Sequence, residues 1–187
     1  MHGLAGSGKT TIAQAMLERI GAIRVRSDVE RKRVHGLAAQ ARTHARPYGG
    51  IYAPSSTRLT YERLKQAARD IVESGHCVIV DAAFLWRAER EQFRALAREL
   101  GAPFLIASCR ASEGALRSRV ARREAAMSDA SEAGVAVLEN QLATQEPLGA
   151  DELAQAASID SEWDEARLHQ AIGEIAARLP GMKGSDA

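Results

Sequence analysis

The chain opens with MHGLAGSGKTT, and residues 3 to 10 of it fit the phosphate-loop pattern G-x-x-x-x-G-K-[ST]. No other stretch restricts the fold as strongly. Gly3, Gly6 and Gly8 let the backbone curl so that successive N–H groups point inward at one anion. A helix starting near Thr10 adds the positive end of its dipole. Lys9 is a flexible point charge for β- and γ-phosphates, and the Thr10 hydroxyl is a candidate Mg²⁺ ligand. Gly3, Ala5, Gly6, Ser7, Gly8, Lys9, Thr10 and Thr11 are therefore the candidate nucleotide contacts. Such a loop normally leaves the end of a buried β-strand, yet only Met1 and His2 stand before Gly3.

The 187 residues suit one domain, and 45% hydrophobic with 26% charged residues is ordinary for a globular chain. A formal net charge of +1 favours neither nucleic acid nor membrane, so any basic site must be local. No apolar run approaches a membrane span, and the N-terminus carries no apolar leader. Cys77 and Cys109 each flank a short apolar run, and read as buried thiols of a cytoplasmic protein, the alternative being a disulfide between them. Five histidines are scattered without metal-ligand spacing.

Short apolar runs alternate with helical patterns, which predicts an α/β fold with a parallel sheet. Strands are expected at 22–26, 77–80, 104–107 and 156–159. Helices are expected from Thr10 to a stop at Gly21, and over 27–37, 55–74, 87–100, 112–120, 135–144 and 162–178. In the helix over 55–74, Leu59, Leu64, Ala67, Ala68, Ile71 and Val72 are expected to face inward. The segment 44–54 reads as a glycine- and proline-rich flap whose Tyr48 and Tyr52 line a pocket. Residues 121–134 read as a lid, 1–179 as the domain, and 180–187 as a disordered tail.

Three further stretches carry chemistry. VIVDA, residues 78–82, ends an apolar strand on Asp81 at the ligand edge of the sheet, suited to holding Mg²⁺; the alternative is simple turn chemistry. RSDVERKR, residues 26–33, sets Asp28 just after the strand expected at 22–26, where a carboxylate can take the proton of an attacking hydroxyl. Its alternative is a helix start, with Ser27 and Glu30 as a capping box. Arg31 lies one turn on, a candidate substrate contact. LRSRVARRE, residues 116–124, gathers Arg119, Arg122 and Arg123 at a helix end. Arg119 and Arg123 are the preferred lid cations over a transferring phosphoryl group; the alternative is complementing the helix dipole. Trp86 and Trp163 read as packing residues, since no basic-aromatic interleaving surrounds them.

Together GLAGSGKTT, SD-x-x-R, VIVDA, the arginine-bearing lid and ASID resemble the small P-loop kinases related to polynucleotide kinase, gluconate kinase and chloramphenicol phosphotransferase. The run from GGIY through VIVDAAFL-x-R-AER to DASEA and QEPL is similar to the ATP-binding half of bacterial bifunctional aminoglycoside phosphotransferase/ATP-binding proteins. The resemblance covers about Gly3 to Ile175. It implies a three-layer α/β/α P-loop fold with an adenylate-kinase-like lid, with Mg²⁺ and ATP. It implies phosphate and Mg²⁺ contacts at Lys9 and Thr10, the hydroxyl-activating carboxylate at Asp28, and lid arginines between Arg119 and Arg123. In that family an aminoglycoside-phosphotransferase-like domain precedes this one. Relatives lead an apolar strand straight into the loop, so Met1 reads as a truncation point or misassigned start, with the first strand missing.

The expected activity is transfer of the ATP γ-phosphate to a hydroxyl of a small molecule. One alternative is an ATP-binding regulatory module of a larger protein. Another is a 5′-hydroxyl nucleic-acid kinase, which the near-neutral charge disfavours.

Overall fold

The computed structural model describes residues 1–41, 43, 49–126 and 134–179. Four strands alternate with helices: α1 (Lys9–Ile20), β1 (Ile23–Arg26), α2 (Ser27–Val34), a 3₁₀ turn (Gly50–Tyr52), α3 (Pro54–Glu73), β2 (Val78–Asp81), α4 (Arg87–Glu99) and β3 (Ile106–Arg110). Then follow α5 (Glu113–Ala126), α6 (Val135–Thr144), α7 (Ala150–Leu153), β4 (Ala156–Asp160) and α8 (Glu165–Ala177).

The strands form two parallel pairs. β1 pairs with β2 from Ile23 opposite Val78 to Arg26 opposite Asp81, and β3 pairs with β4 from Ile106 opposite Ala156 to Arg110 opposite Asp160. Residues 1–3 join the pairs. The Met1 ammonium donates to Val80 O at 2.8 Å, His2 N–H to Ala107 O at 2.8 Å, Cys109 N–H to His2 O at 2.8 Å, and Gly3 N–H to Ala83 O at 3.1 Å. Met1 to Gly3 thus occupy the last rungs of a central strand between β2 and β3, and run straight into the phosphate loop.

Alternation along the strands builds a core on each face. Ile79, Ala107, Cys109 and Ile159 pack with Ile12, Ala13 and Met16 of α1 and with Ile172 and Ile175 of α8. Val25 packs on the other side with Leu64 and Ala68 of α3 and with Phe84, Phe93 and Leu96. There Phe84 meets Tyr61 and Phe93 edge-on at 5.4 and 4.9 Å between ring centres. A third cluster ties Ala5 of the loop to Leu116, Val120 and Leu138 of α5 and α6.

Several expectations need correction. β3 begins at Ile106 and not 104, because pairing with β4 starts where Ile106 N–H meets Gln155 O at 2.8 Å. α2 stops at Val34, short of Leu37: Gly36 turns to φ +68° and Leu37 N–H closes back on Lys32 O. No capping box forms at its start. Arg26 is the N-cap without a side-chain bond, and the buried Glu30 pairs instead with Arg33 at 2.5 Å and Arg63 at 3.6 Å. Leu59 and Trp86 are exposed, at 47% and 44%, so neither is a packing residue. α5 continues past Val120 to Ala126, so the helix expected to end at Val120 is longer than its sequence pattern suggested. Residues 127–133 of the expected lid, Tyr48 and the tail lie outside the described residues.

Candidate functional site

The loop has the curled backbone its glycines suggested. Gly3, Gly6 and Gly8 stand at φ +142°, +81° and +81°. Gly6 is further restricted by packing, since a Cβ there would lie 2.8 Å from Leu116 O of α5. Gly8 is the N-cap of α1, so the helix start faces the loop's hollow. Lys9 Nζ donates to Gly3 O at 2.8 Å and Leu4 O at 2.7 Å. Burial pulls its pKa below the ordinary lysine value, while the nearby Cys109, Asp81 and Asp28 act in the opposite direction.

The candidate residues from distant parts of the chain converge on one cleft of about 970 Å³. Gly8, Lys9, Thr10 and Thr11 form its floor, Asp28 and Arg31 of α2 one wall, and Arg119, Arg122 and Arg123 of α5 another. Asp81, at the end of β2, is buried and accepts the Thr10 hydroxyl at 3.0 Å. Arg26 Nε lies 3.8 Å from the same carboxylate oxygen, and Arg24 donates to Thr10 O at 3.1 Å. Thr10 and Asp81 therefore present adjacent hard oxygens. That donor set fits Mg²⁺, which keeps several waters and takes few protein ligands. Among the described residues no group of three or more His, Cys, Asp or Glu side chains forms a metal cage.

Arg31 is fixed by its surroundings. Its Nη1 donates to Ile51 O and Thr57 Oγ1, both at 3.1 Å, and the guanidinium lies 5.1 Å from the Tyr52 ring centre. Its Nε is buried with no hydrogen-bond partner, an orphan donor on the cleft wall. Arg119 is held on the opposite side, donating to Gly6 O at 3.2 Å, Ser161 Oγ at 2.6 Å and Ser161 O at 3.2 Å. It ties α5 to both the loop and the turn after β4.

Three contributors escaped the sequence reading. Gln141 of α6 lines the cleft and accepts the Ala5 N–H on its Oε1 at 2.7 Å. Its signal was a polar side chain one turn after the buried Leu138. Tyr61 lines the same cleft, and its hydroxyl bonds Glu89, whose carboxyl burial pushes up to about 7. Arg90 anchors the region behind the site: it is buried and makes a two-point pair with Glu152 at 2.6 and 3.0 Å. It also donates to Phe84 O and Glu146 O.

A family model described as an AAA domain matches residues 1–148. The chain belongs to that family. Its fold is the P-loop NTPase type, with parallel strands and a mostly helical remainder. Kti12 of Chaetomium thermophilum, in complex with ADP-AlF3, superposes with a TM-score of 0.74 at 18% identity, covering 96% of this chain and 97% of that one. A gluconokinase of Sinorhizobium meliloti gives 0.65 at 20% identity, covering 95% and 90%. The APS kinase CysC of Mycobacterium tuberculosis, bound to AMPPNP and APS, gives 0.64 at 16% identity, covering 96% and 95%. In sequence, uncharacterised proteins of Mycobacterium tuberculosis and Mycobacterium bovis are 27% identical over 128 residues, 68% of this chain. The match spans only 26% of the length of those curated relatives. Among the described residues no helix is long and apolar enough to cross a membrane.

Proposed function

We propose that this domain is an ATP-dependent phosphotransferase that moves the γ-phosphoryl group of ATP to a hydroxyl of a small molecule. The observation that carries the reading is the meeting of the loop, Asp28 and the α5 arginines in one cleft. Loop N–H groups and Lys9 hold the β- and γ-phosphates. Asp28 accepts the hydroxyl proton as the acceptor oxygen attacks the γ-phosphorus. The bond to the β–γ bridging oxygen breaks, and ADP leaves. Arg119 and Arg123 stabilise the charge on the transferring group, and the lid around 121–134 shields it from water. Arg31 offers its orphan Nε–H to the acceptor. Thr10 and Asp81 would hold Mg²⁺, which supplies neutralising charge across the phosphate oxygens when bound.

Two of the structural relatives are named as a gluconokinase and an APS kinase, which supports a kinase over other phosphate-loop chemistry. Cys77 and Cys109 are both free thiols, in keeping with a cytoplasmic setting. The test is ATP turnover against a panel of hydroxyl acceptors. Asp28→Asn is expected to lower acceptor-dependent turnover by about 100-fold or more while ATP affinity holds.

A second reading is favoured by the curated relatives being about four times longer than the match. The domain would then bind ATP and regulate a fused partner, for which an aminoglycoside-phosphotransferase-like domain is the candidate. In that case no acceptor in the panel supports turnover, and Asp28→Asn changes nothing measurable.

A further inference from the structure

The buried carboxylate of Asp81 is answered by a cation from the neighbouring strand. In the parallel register Arg26 of β1 stands opposite Asp81 of β2, and both side chains line the cleft. Arg26 Nε lies 3.8 Å from Asp81 Oδ2, the oxygen that also accepts the Thr10 hydroxyl at 3.0 Å. The Asp81 side chain is only 5% exposed, and a carboxylate so buried needs a counter-charge close by. Lys9 is near enough to feel Asp81, but its Nζ donates to Gly3 O and Leu4 O. Arg24, two residues back on β1, donates to Thr10 O. Among the described residues Arg26 is the cation that forms an ion pair with Asp81.

The pairing is loose. At 3.8 Å it is an ion pair without a hydrogen bond. Arg90 and Glu152, by contrast, meet through two bonds of 2.6 and 3.0 Å and are both buried. The Arg90 pair cannot open without stranding donors and acceptors, whereas Arg26 can leave Asp81 without breaking a hydrogen bond to it. Asp81 is also the carboxylate that, with Thr10, would hold Mg²⁺. Two cations on one carboxylate repel each other, and at separations of about 5 Å that repulsion is strong wherever water is scarce.

We propose that Arg26 is a resident counter-ion at the metal position. It neutralises Asp81 in the empty site and has to give the carboxylate up when Mg²⁺ is held there. The inference rests on the Mg-ATP reading above. Arg26 makes the empty site a poor binder of the metal alone, so metal enters together with the nucleotide, whose phosphate oxygens supply further ligands and negative charge. Until then Arg26 keeps Asp81 from repelling the phosphates.

The test uses this chain and its Arg26→Gln and Arg26→Lys variants. Mn²⁺ alone is titrated without nucleotide, and the free ion is read by its paramagnetic resonance signal. Arg26→Gln should bind Mn²⁺ about tenfold or more tightly than the parent, because its Asp81 is no longer neutralised. Arg26→Lys keeps the charge and should stay close to the parent. ATP is then titrated by calorimetry in EDTA. Arg26→Gln should weaken this metal-free binding by about fivefold in the parent, and should have little effect in an Asp81→Asn background, where there is no charge to neutralise. Equal Mn²⁺ affinities in parent and Arg26→Gln would overturn the proposal. So would a lysine variant that tightens Mn²⁺ as glutamine does, or an ATP loss of the same size in both backgrounds, which would make Arg26 a direct phosphate contact. A parent that fails to bind Mg-ATP at all would remove the nucleotide reading itself, a result separate from any of these.

Discussion

Gln141 Oε1 accepts the backbone N–H of Ala5 at 2.7 Å, across 136 residues of sequence. This bond fastens α6 to the phosphate loop directly above the cluster of Ala5, Leu116, Val120 and Leu138. Arg117 of α5 reaches Glu139 of α6 as well, so loop, α5 and α6 form one braced unit. Gln141→Leu removes the acceptor and leaves the Ala5 N–H unpaired. A loss of about 1–2 kcal/mol of stability is expected, with weaker nucleotide binding. Chemical denaturation and an ATP titration on the same preparation check it.

Gly6→Ala should disturb the same joint from the other side. The added methyl must sit 2.8 Å from Leu116 O at a φ of +81°. The left-handed backbone alone costs a side-chain-bearing residue about 1–2 kcal/mol. The expected outcome is a folded protein with a lower melting midpoint and ATP binding weakened by about tenfold or more. Gly21→Ala is the comparison: its φ is +63°, but nothing lies within 4 Å of the added carbon. It should lower the midpoint while leaving ATP affinity unchanged.

Arg90 and Glu152 form a buried ion pair that connects α4 to α7. Removing one member leaves the other buried without its partner, so Arg90→Ala should cost about 3–5 kcal/mol. The Arg90 hydrogen bond holds the Glu152 carboxyl below its ordinary value of 4.5. A depressed carboxyl pKa gives stability that is present above the unfolded value and lost as pH falls through the folded one. Glu152→Gln should therefore destabilise the domain at neutral pH, and its deficit should shrink on acidification below 4.5. Melting curves from pH 7 down to 3 read this directly.

Glu89 has the opposite sign. Burial raises its carboxyl to about 7, so the folded protein favours the protonated acid. Its contribution is full below the unfolded value of 4.5 and is lost as pH rises towards 7. His2 counteracts this: burial lowers its pKa to about 4, so its contribution is present above 6.5 and lost as pH falls towards 4. Between 4.5 and 6.5 the two slopes oppose each other. Glu89→Gln removes one of them, so the variant's stability should climb with pH across that window more steeply than the parent's. Parallel profiles for variant and parent would refute the assignment.

Much of the candidate cleft's backbone geometry was legible in the sequence because short-range chemistry encodes it. The glycines at 3, 6 and 8 have no other economical use than positive φ, and Lys9 and Thr10 follow at the only spacing that puts them at the start of α1. Apolar runs marked β1, β2 and β4 to within a residue, since a strand buried on both faces tolerates little else. Ser27 and Glu30 had the spacing of a capping box, yet Glu30 went to Arg33 and Arg63, and Arg63 lies on another helix that no local pattern reveals.

The sequence by itself determined that a phosphate loop begins the chain, that an acidic residue ends β2 and another starts α2, and that parallel strands alternate with helices. Each is a matter of a residue's own backbone preference or of a repeat within a few positions. Tertiary structure alone decided that Thr10 and Asp81 touch, that Gln141 holds Ala5, that Arg119 locks onto Ser161, and that Arg90 is buried against Glu152. It also decided that Met1 to Gly3 supply the rungs joining two strand pairs. Those contacts depend on where separate elements come to rest, and that follows from the packing of whole faces against one another.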